Sequence, residues 1–254
     1  MATSARPALL IVHGALGSAE QMAPVADAAR AHEVFAAVHT LELPGHGRTP
    51  ALSDAESDAE SDAESDAAFS MPAFADVIAA RVRELAPQRV LVFGYSMGGY
   101  AALLAEQMQP GLVAGIVTLG TMLAWTPEVA EAGARRLNPE GMRAKVPAFA
   151  DALAARHAEA GGWELTLTRT AAVLRALGEA PPLTTTSVAQ IAAPVRLLVG
   201  SRDDSVTLEE SQRFAEAMPR AEAVLLEGVP HPIEKVPLDL LIAQLSPFAS
   251  RLPE

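Results

Sequence analysis

Ser96 sits in the run Gly94-Tyr95-Ser96-Met97-Gly98-Gly99, behind the apolar residues 90–93 and ahead of Ala101, Ala102, Leu103 and Leu104. A serine on a sharp turn from strand to helix exposes its hydroxyl above a sheet, as the pattern G-x-S-x-G does in this context. Neighbours without side chains make room for the strained dihedrals that such a turn imposes. A helix starting at Met97 would add backbone N–H groups and a dipole that favour developing negative charge. A serine needs a base. His231 lies in Gly228-Val229-Pro230-His231-Pro232, where flanking prolines fix the loop. The base needs an acid to orient it. Asp203 and Asp204 both follow the apolar run 195–199, at the C-terminal end of an expected strand, which is where ligand chemistry gathers in open α/β sheets. Asp203 and His231 are 28 positions apart, room for one helix and one strand, so both return to the same sheet edge. Such a trio could transfer an acyl group, with the serine attacking a carbonyl, the histidine taking its proton and the acid holding the imidazole tautomer.

That attack creates an oxyanion, and two backbone N–H groups are expected to hold it. Met97, the residue after the nucleophile, supplies one. The loop His13-Gly14-Ala15-Leu16-Gly17 follows the first apolar run and can bring the second, with Ala15 as the first choice. Met122, Trp125 and Trp163 could line an apolar substrate pocket, and could equally be packing. His46 sits in a glycine turn and reads as structural. His32, His39 and His157 fall on expected helix or strand faces without partners. No two histidines have the i, i+4 spacing of a helical metal site, so neither a metal nor a cofactor is expected.

Taken together, the His13-Gly14 loop, the turn Leu43-Pro44-Gly45-His46-Gly47, the Gly94–Gly99 elbow and the late Asp and His resemble the α/β-hydrolase superfamily. The chain is most similar to its small capped bacterial serine esterases and lactonases. The resemblance covers nearly the whole chain except residues 53–68 and is loosest over 121–187. It implies the order nucleophile, acid, histidine, and it sets G-x-x-D-x-x-V on Gly200, Asp203 and Val206, which favours Asp203 over Asp204. It also implies a sheet that lacks the first two strands of the full family. The implied activity is hydrolysis of a small or medium carboxylic ester, thioester or lactone through an acyl-serine, with a small-molecule acyl substrate as the partner. Carbon–carbon bond hydrolases, cofactor-free haloperoxidases and non-catalytic ligand receptors use the same scaffold. A receptor would be expected to lack a triad member or an elbow glycine, and here all are present. Aspartate in place of Ser96 would have pointed to a dehalogenase or an epoxide hydrolase.

The elements that must position these residues alternate. Strands are expected at 8–13, 34–43, 89–94, 112–119, 195–199 and 223–226, and helices at 18–31, 69–86, 97–108, 208–218 and 237–249. Alternation of this kind means crossovers and a mainly parallel, doubly wound α/β sheet of about six strands with helices on both faces. The rhythm breaks between Leu119 and Pro194, where the spacing far exceeds the dozen or so residues that a crossover needs. Helical periodicity recurs there at 128–137, 146–157 and 165–177. The expectation is an α/β core over 1–120 and 188–254 with a helical cap inserted at 121–187.

With 254 residues, half of them hydrophobic, the chain can bury a substantial core. The absence of cysteine excludes disulfides, thiolate zinc sites and a catalytic thiol. The N-terminal apolar run has no cleavage signature behind it and no stretch reaches the length of a membrane span, so a cytoplasmic protein is expected. The net charge is −12, but seven acids lie in the repeat at residues 53–68, and the rest of the chain carries −5. Neither value suits nucleic-acid binding, which wants a basic face. The repeat places acids at i and i+4, which repel in a helix, and its composition predicts a solvated low-complexity loop. Lengthening a loop costs only about 0.6 kcal/mol per doubling. Replacing residues 53–66 by a short Gly/Ser link is therefore expected to leave the circular dichroism spectrum, the melting temperature and kcat on a small ester nearly unchanged. An unfolded variant, or one whose kcat and KM shift together by much more than a few-fold, would identify the repeat as a structural element instead.

Overall fold

The computed structural model describes residues 6–50 and 68–252. The expectation for the acidic repeat falls outside the described residues, apart from Ala68. Among the described residues, six strands form: β1 (Ala8–Val12), β2 (Ala37–Leu41), β3 (Val90–Tyr95), β4 (Gly115–Leu119), β5 (Val195–Arg202) and β6 (Ala221–Pro230). They pair in the order β2-β1-β3-β4-β5-β6, and every pair is parallel. A parallel sheet is covered on both faces, which is why β1 reads as a continuous apolar run and β1 and β4 are buried at every position.

Side chains alternate along each strand and feed two cores. Leu10, Val12, Val92, Ile116 and Leu197 pack toward α2 (Met71–Glu84), α3 (Met97–Met108) and α8 (Leu208–Ala217). Leu9, Ile11, Phe93, Val117 and Leu198 pack toward α1 (Ala23–Arg30) and α9 (Leu238–Ala249). The fold is thus an α/β doubly wound sheet. Strand β1 lies between β2 and β3, so the chain leaves β1 to one side and returns on the other. The loops after β1 and β3 part over a crevice at this switch of direction, where open α/β sheets bind ligands. Ala15 and Ser96 stand on those two loops.

Some elements differ from expectation. Helix α1 begins at Ala23, not at residue 18. Ser18 Oγ accepts from Gln21 N at 3.1 Å, which closes a turn, and the helix starts only where Pro24 presets its first turn. Strand β2 spans five residues, not ten, because the Leu43 N–H leaves the ladder to donate to His13 Nε2 at 3.0 Å. Between β4 and β5 lie four α-helices: α4 (Pro127–Arg136), α5 (Pro139–Lys145), α6 (Pro147–Arg156) and α7 (Trp163–Glu179). The unexpected one, α5, starts at Asn138-Pro139. That pair reads as a break in the sequence, but Asn138 Oδ1 accepts from Gly141 N at 2.8 Å and caps the helix. These helices share a small core of Ala150, Leu153, Trp163 and Leu167.

Three buried histidines tie loops together. His13 accepts from Leu43 at Nε2, so its proton lies on Nδ1, which donates to Gly14 O at 2.8 Å. His157 has two partners, contrary to expectation. Gly47 N donates to its Nδ1 at 3.0 Å, and its Nε2–H donates to Leu16 O at 3.1 Å. The His46 ring lies 5.0 Å from that of His13 and 5.8 Å from that of His157, and stacks on Phe69. Burial disfavours the charged form of all three. It holds His13 down to about 4, His46 well below the ordinary histidine value, and His157 below it. Unfolded, each titrates near 6.5, so below that pH the unfolded chain binds more protons than the folded one. Stability from these groups is therefore present above pH 6.5 and is lost as pH falls toward 4. Urea denaturation should give an unfolding free energy at pH 5.5 that is lower than at pH 7 by at least about 1 kcal/mol, the contribution of His13 by itself. Equal stability at the two values would show that the cluster does not titrate in this way.

Candidate active site

Ser96 caps the N-terminus of α3 with φ 50° and ψ −116°. Positive φ in a residue with a side chain costs about 1–3 kcal/mol and persists only where the surroundings impose it. Here they do. Ser96 N donates to Leu119 O at 2.9 Å, and Ser96 O accepts from Gly99 N at 3.0 Å and from Thr121 Oγ1 at 3.0 Å. The turn is thereby bolted to the end of β4. On its other side, α3 presses against β1. A Cβ on Gly98 would run into the carbonyls of His13 and Val12, so only glycine lets the first turn of the helix reach the crevice.

Strands β5 and β6 deliver the other two groups. His231 Nδ1 lies 2.7 Å from Asp203 Oδ2. An ionised carboxylate only accepts, so Nδ1 carries a proton, and in the neutral ring the lone pair lies on Nε2. The other oxygen of Asp203 accepts from Ser205 N at 2.8 Å and Val206 N at 3.2 Å. Burial pushes the Asp203 carboxyl up. The bond and charge of His231 and the two amides outweigh it, so the net displacement is downward and the group is anionic near neutral pH. Asp204 instead accepts from Ser205 Oγ at 3.3 Å. Tyr95, the residue before Ser96, donates its hydroxyl to His231 O at 2.9 Å and so links the elbow to the histidine loop.

Ser96, Met97, Ala15 and His231 line one cavity of about 460 Å³, together with Met122 and Trp125. The α4 and α7 helices supply much of the rest, including Val129, Thr170 and Leu174, with Leu137 just beyond the end of α4. Glu210 Oε1 accepts from Leu123 N at 2.6 Å and Ala124 N at 2.9 Å, which fixes the strand-to-helix segment carrying Met122 and Trp125. Trp163 does not line this cavity. It is buried in the small core of the inserted helices with Ala150, Leu153 and Leu167, and the Arg143 guanidinium lies over its ring. A second groove, lined by Phe69, Met71, Val173 and Leu177, opens beside the first but holds neither Ser96 nor His231. Among the described residues, no cluster of three His, Cys, Asp or Glu could hold a metal ion, and no helix is long and apolar enough to cross a membrane.

Sequence reasoning missed Gly120. A Cβ there would stand 3.1 Å from Asp203 Oδ2 and 3.1 Å from His231 Nδ1, and its φ is +61°. The signal existed, since Gly120 follows the apolar run of β4 at the functional edge of the sheet. His157 and Thr166 were missed for another reason. Thr166 Oγ1 donates to Gly45 O at 3.0 Å across 121 residues, and no local pattern marks such a contact.

Comparison with known proteins agrees with this architecture. The alpha/beta hydrolase family pattern matches residues 9–243. A 114-residue stretch, 45% of this chain, is 30% identical to the biotin biosynthesis bifunctional protein BioHC of Cellvibrio japonicus, and the match spans only 18% of that protein. Among solved structures, NosK from Streptomyces actuosus is 25% identical with a TM-score of 0.67, over 94% of this chain and 96% of that one. An N-formylmaleamic acid deformylase from Pseudomonas putida is 20% identical with a TM-score of 0.62, over 94% and 91%. The parallel sheet, the strained serine elbow and the match along nearly the full length lead to one conclusion: the chain belongs to the alpha/beta hydrolase family.

Proposed function

We propose that the protein is a serine hydrolase in which Ser96 is the nucleophile, His231 the general base and Asp203 the acid that orients it. The observation that carries this reading is the 2.7 Å contact between His231 Nδ1 and Asp203 Oδ2, in a molecule whose cavity holds both His231 and Ser96 on its strained turn. His231 Nε2 takes the proton of Ser96 as the oxygen attacks the carbonyl carbon. The Ala15 and Met97 amides receive the oxyanion. Collapse of the tetrahedral adduct breaks the bond to the leaving group, which takes the proton back from His231 and departs as an alcohol or thiol. Water, deprotonated by His231, then attacks the acyl-serine, and as the C–O bond to Ser96 breaks the serine oxygen takes the proton back from His231 and the acid is released. Asp203 stays ionised throughout and stabilises the imidazolium.

The substrate class is a small or medium carboxylic ester, thioester or lactone. A cavity of about 460 Å³ falls in the range of small-molecule sites, and walls such as Met122, Trp125, Leu137 and Leu174 suit an apolar acyl or alcohol group. Residues 121–187 act as a cap over a core made of 1–120 and 188–254, since α4 and α7 roof the cavity above Ser96.

Ser96→Ala is expected to abolish covalent labelling by a fluorophosphonate probe and to lower kcat on a responsive ester by roughly 10³-fold or more. Mass spectrometry of the labelled peptide checks it, and label on another serine would move the nucleophile. Asp203→Asn is expected to cost about 10²–10⁴ in kcat, because the histidine loses its orienting acceptor. Asp204→Asn should cost far less. Steady-state kinetics on the two variants that ranked them in reverse would make Asp204 the acid.

A further inference from the structure

We propose that Arg156 and His157, at the end of α6, are positioning residues that hold the loop after β1 in the conformation presenting the Ala15 amide to the oxyanion. The inference rests on the roles given above to Ser96 and Ala15. Its starting point is Leu16, whose φ is +58°. A leucine there is strained, and it keeps that conformation only if its surroundings impose it.

Its surroundings on the inserted helices impose it through two bonds to its carbonyl and the packing of its side chain. Arg156 Nη1 donates to Leu16 O at 2.8 Å. His157 Nε2 donates to the same oxygen at 3.1 Å. Gly47 N occupies His157 Nδ1 at 3.0 Å, so the imidazole is locked in the tautomer that can serve Leu16. The Leu16 side chain packs on the small core formed by Ala150, Leu153, Trp163 and Leu167. The neighbouring turn is closed by Gly17 N donating to Gly14 O at 3.1 Å. Arg156 also extends toward the base. Its Nη2 lies 4.0 Å from Glu234 Oε1, which accepts from Gln21 Nε2 at 2.7 Å, and Glu234 is three residues beyond His231.

Released from these contacts, Leu16 relaxes to negative φ and the Gly14–Leu16 peptides turn. The Ala15 N–H then leaves the place where the oxyanion forms. The neutral carbonyl of the bound substrate needs that amide far less than the oxyanion does, so the loss falls on kcat and spares KM. This separates positioning from general structural support.

The test uses the full chain and two ligands of matched shape: a trifluoromethyl ketone, to which Ser96 adds to form an oxyanion, and the corresponding ether, which cannot react. Arg156 is partly exposed, so Arg156→Met keeps the apolar stem and removes the donor. It should lower kcat on p-nitrophenyl acetate about 10-fold and weaken the ketone about 10-fold, with KM and ether affinity changed less than about twofold. Arg156→Lys, which keeps a donor within reach, should recover most of both losses. His157→Gln should move kcat and the ketone in the same direction as Arg156→Met. Unchanged ketone affinity in Arg156→Met, or equal weakening of ketone and ether, overturns the proposal while fluorophosphonate labelling of Ser96 in the parent protein leaves the serine mechanism standing. Absence of that labelling in the parent protein overturns both.

Discussion

The geometry of the candidate site depends on how closely the first turn of α3 approaches the end of β1. Gly98 lies against the carbonyls of His13 and Val12 with no room for a Cβ. That contact drives the chain from β3 into α3 through a single residue, and Ser96 takes the positive φ that results. The strain is balanced by bonds that all involve the backbone of Ser96, two of them to partners on or just after β4. The side chain is left out of the balance, so its hydroxyl is available for chemistry. The same approach puts the loop after β1 beside the N-terminus of α3, so the two amides proposed for the oxyanion come from segments already pressed together.

The three histidines near the loop after β1 are kept neutral by burial. His13 and His157 commit both ring nitrogens to backbone groups, and His46 commits Nδ1 to Pro44 O. They work as connectors between loops. Asp203 is the opposite case. Its carboxylate is buried, yet it remains ionised because His231 and two amides satisfy it. One fixed negative charge behind the imidazole, with neutral histidines nearby, is the arrangement that favours an imidazolium formed in passing. A charged histidine at position 13 or 157 would lose the ring nitrogen that accepts from Leu43 N or Gly47 N and would break the loop contacts.

The parts of this arrangement that were legible in the sequence are those set by local rules. Apolar runs marked the six strands, and a glycine-flanked serine between a run and a helix marked the elbow. Both Asp203 and Asp204 follow the apolar part of β5, and it was the family spacing G-x-x-D-x-x-V, set on Gly200, Asp203 and Val206, that favoured Asp203. They differ by contact, with Asp203 on His231 and Asp204 on Ser205. Local rules failed where the partner is distant. His157 meets Gly47 and Leu16 across 110 and 141 positions. Trp163, large and in the insertion, suited a pocket wall or packing equally by its sequence, and the helices around it needed a core of their own and took it. Asn138-Pro139 looked like a break because proline ends helices, yet proline after a capping asparagine begins one.

The inserted helices therefore do more than line the cavity. A cap that only covered a cavity would touch the sheet through apolar packing and could shift without changing the groups below. Here Thr166 donates to Gly45 O, His157 accepts from Gly47 N, and Arg156 and His157 share Leu16 O. Each of these bonds ends on the backbone of a loop at the functional edge of the sheet. Buried polar bonds are directional and costly to leave unmade, so they fix the register between the two parts where apolar contacts would tolerate sliding. The small core under Leu16 then has a second use: it anchors the helix whose end carries Arg156 and His157. Packing in the insertion and strain in the loop after β1 are two sides of one balance, because the loop can keep its unfavourable backbone only while the helix end stays where that core holds it.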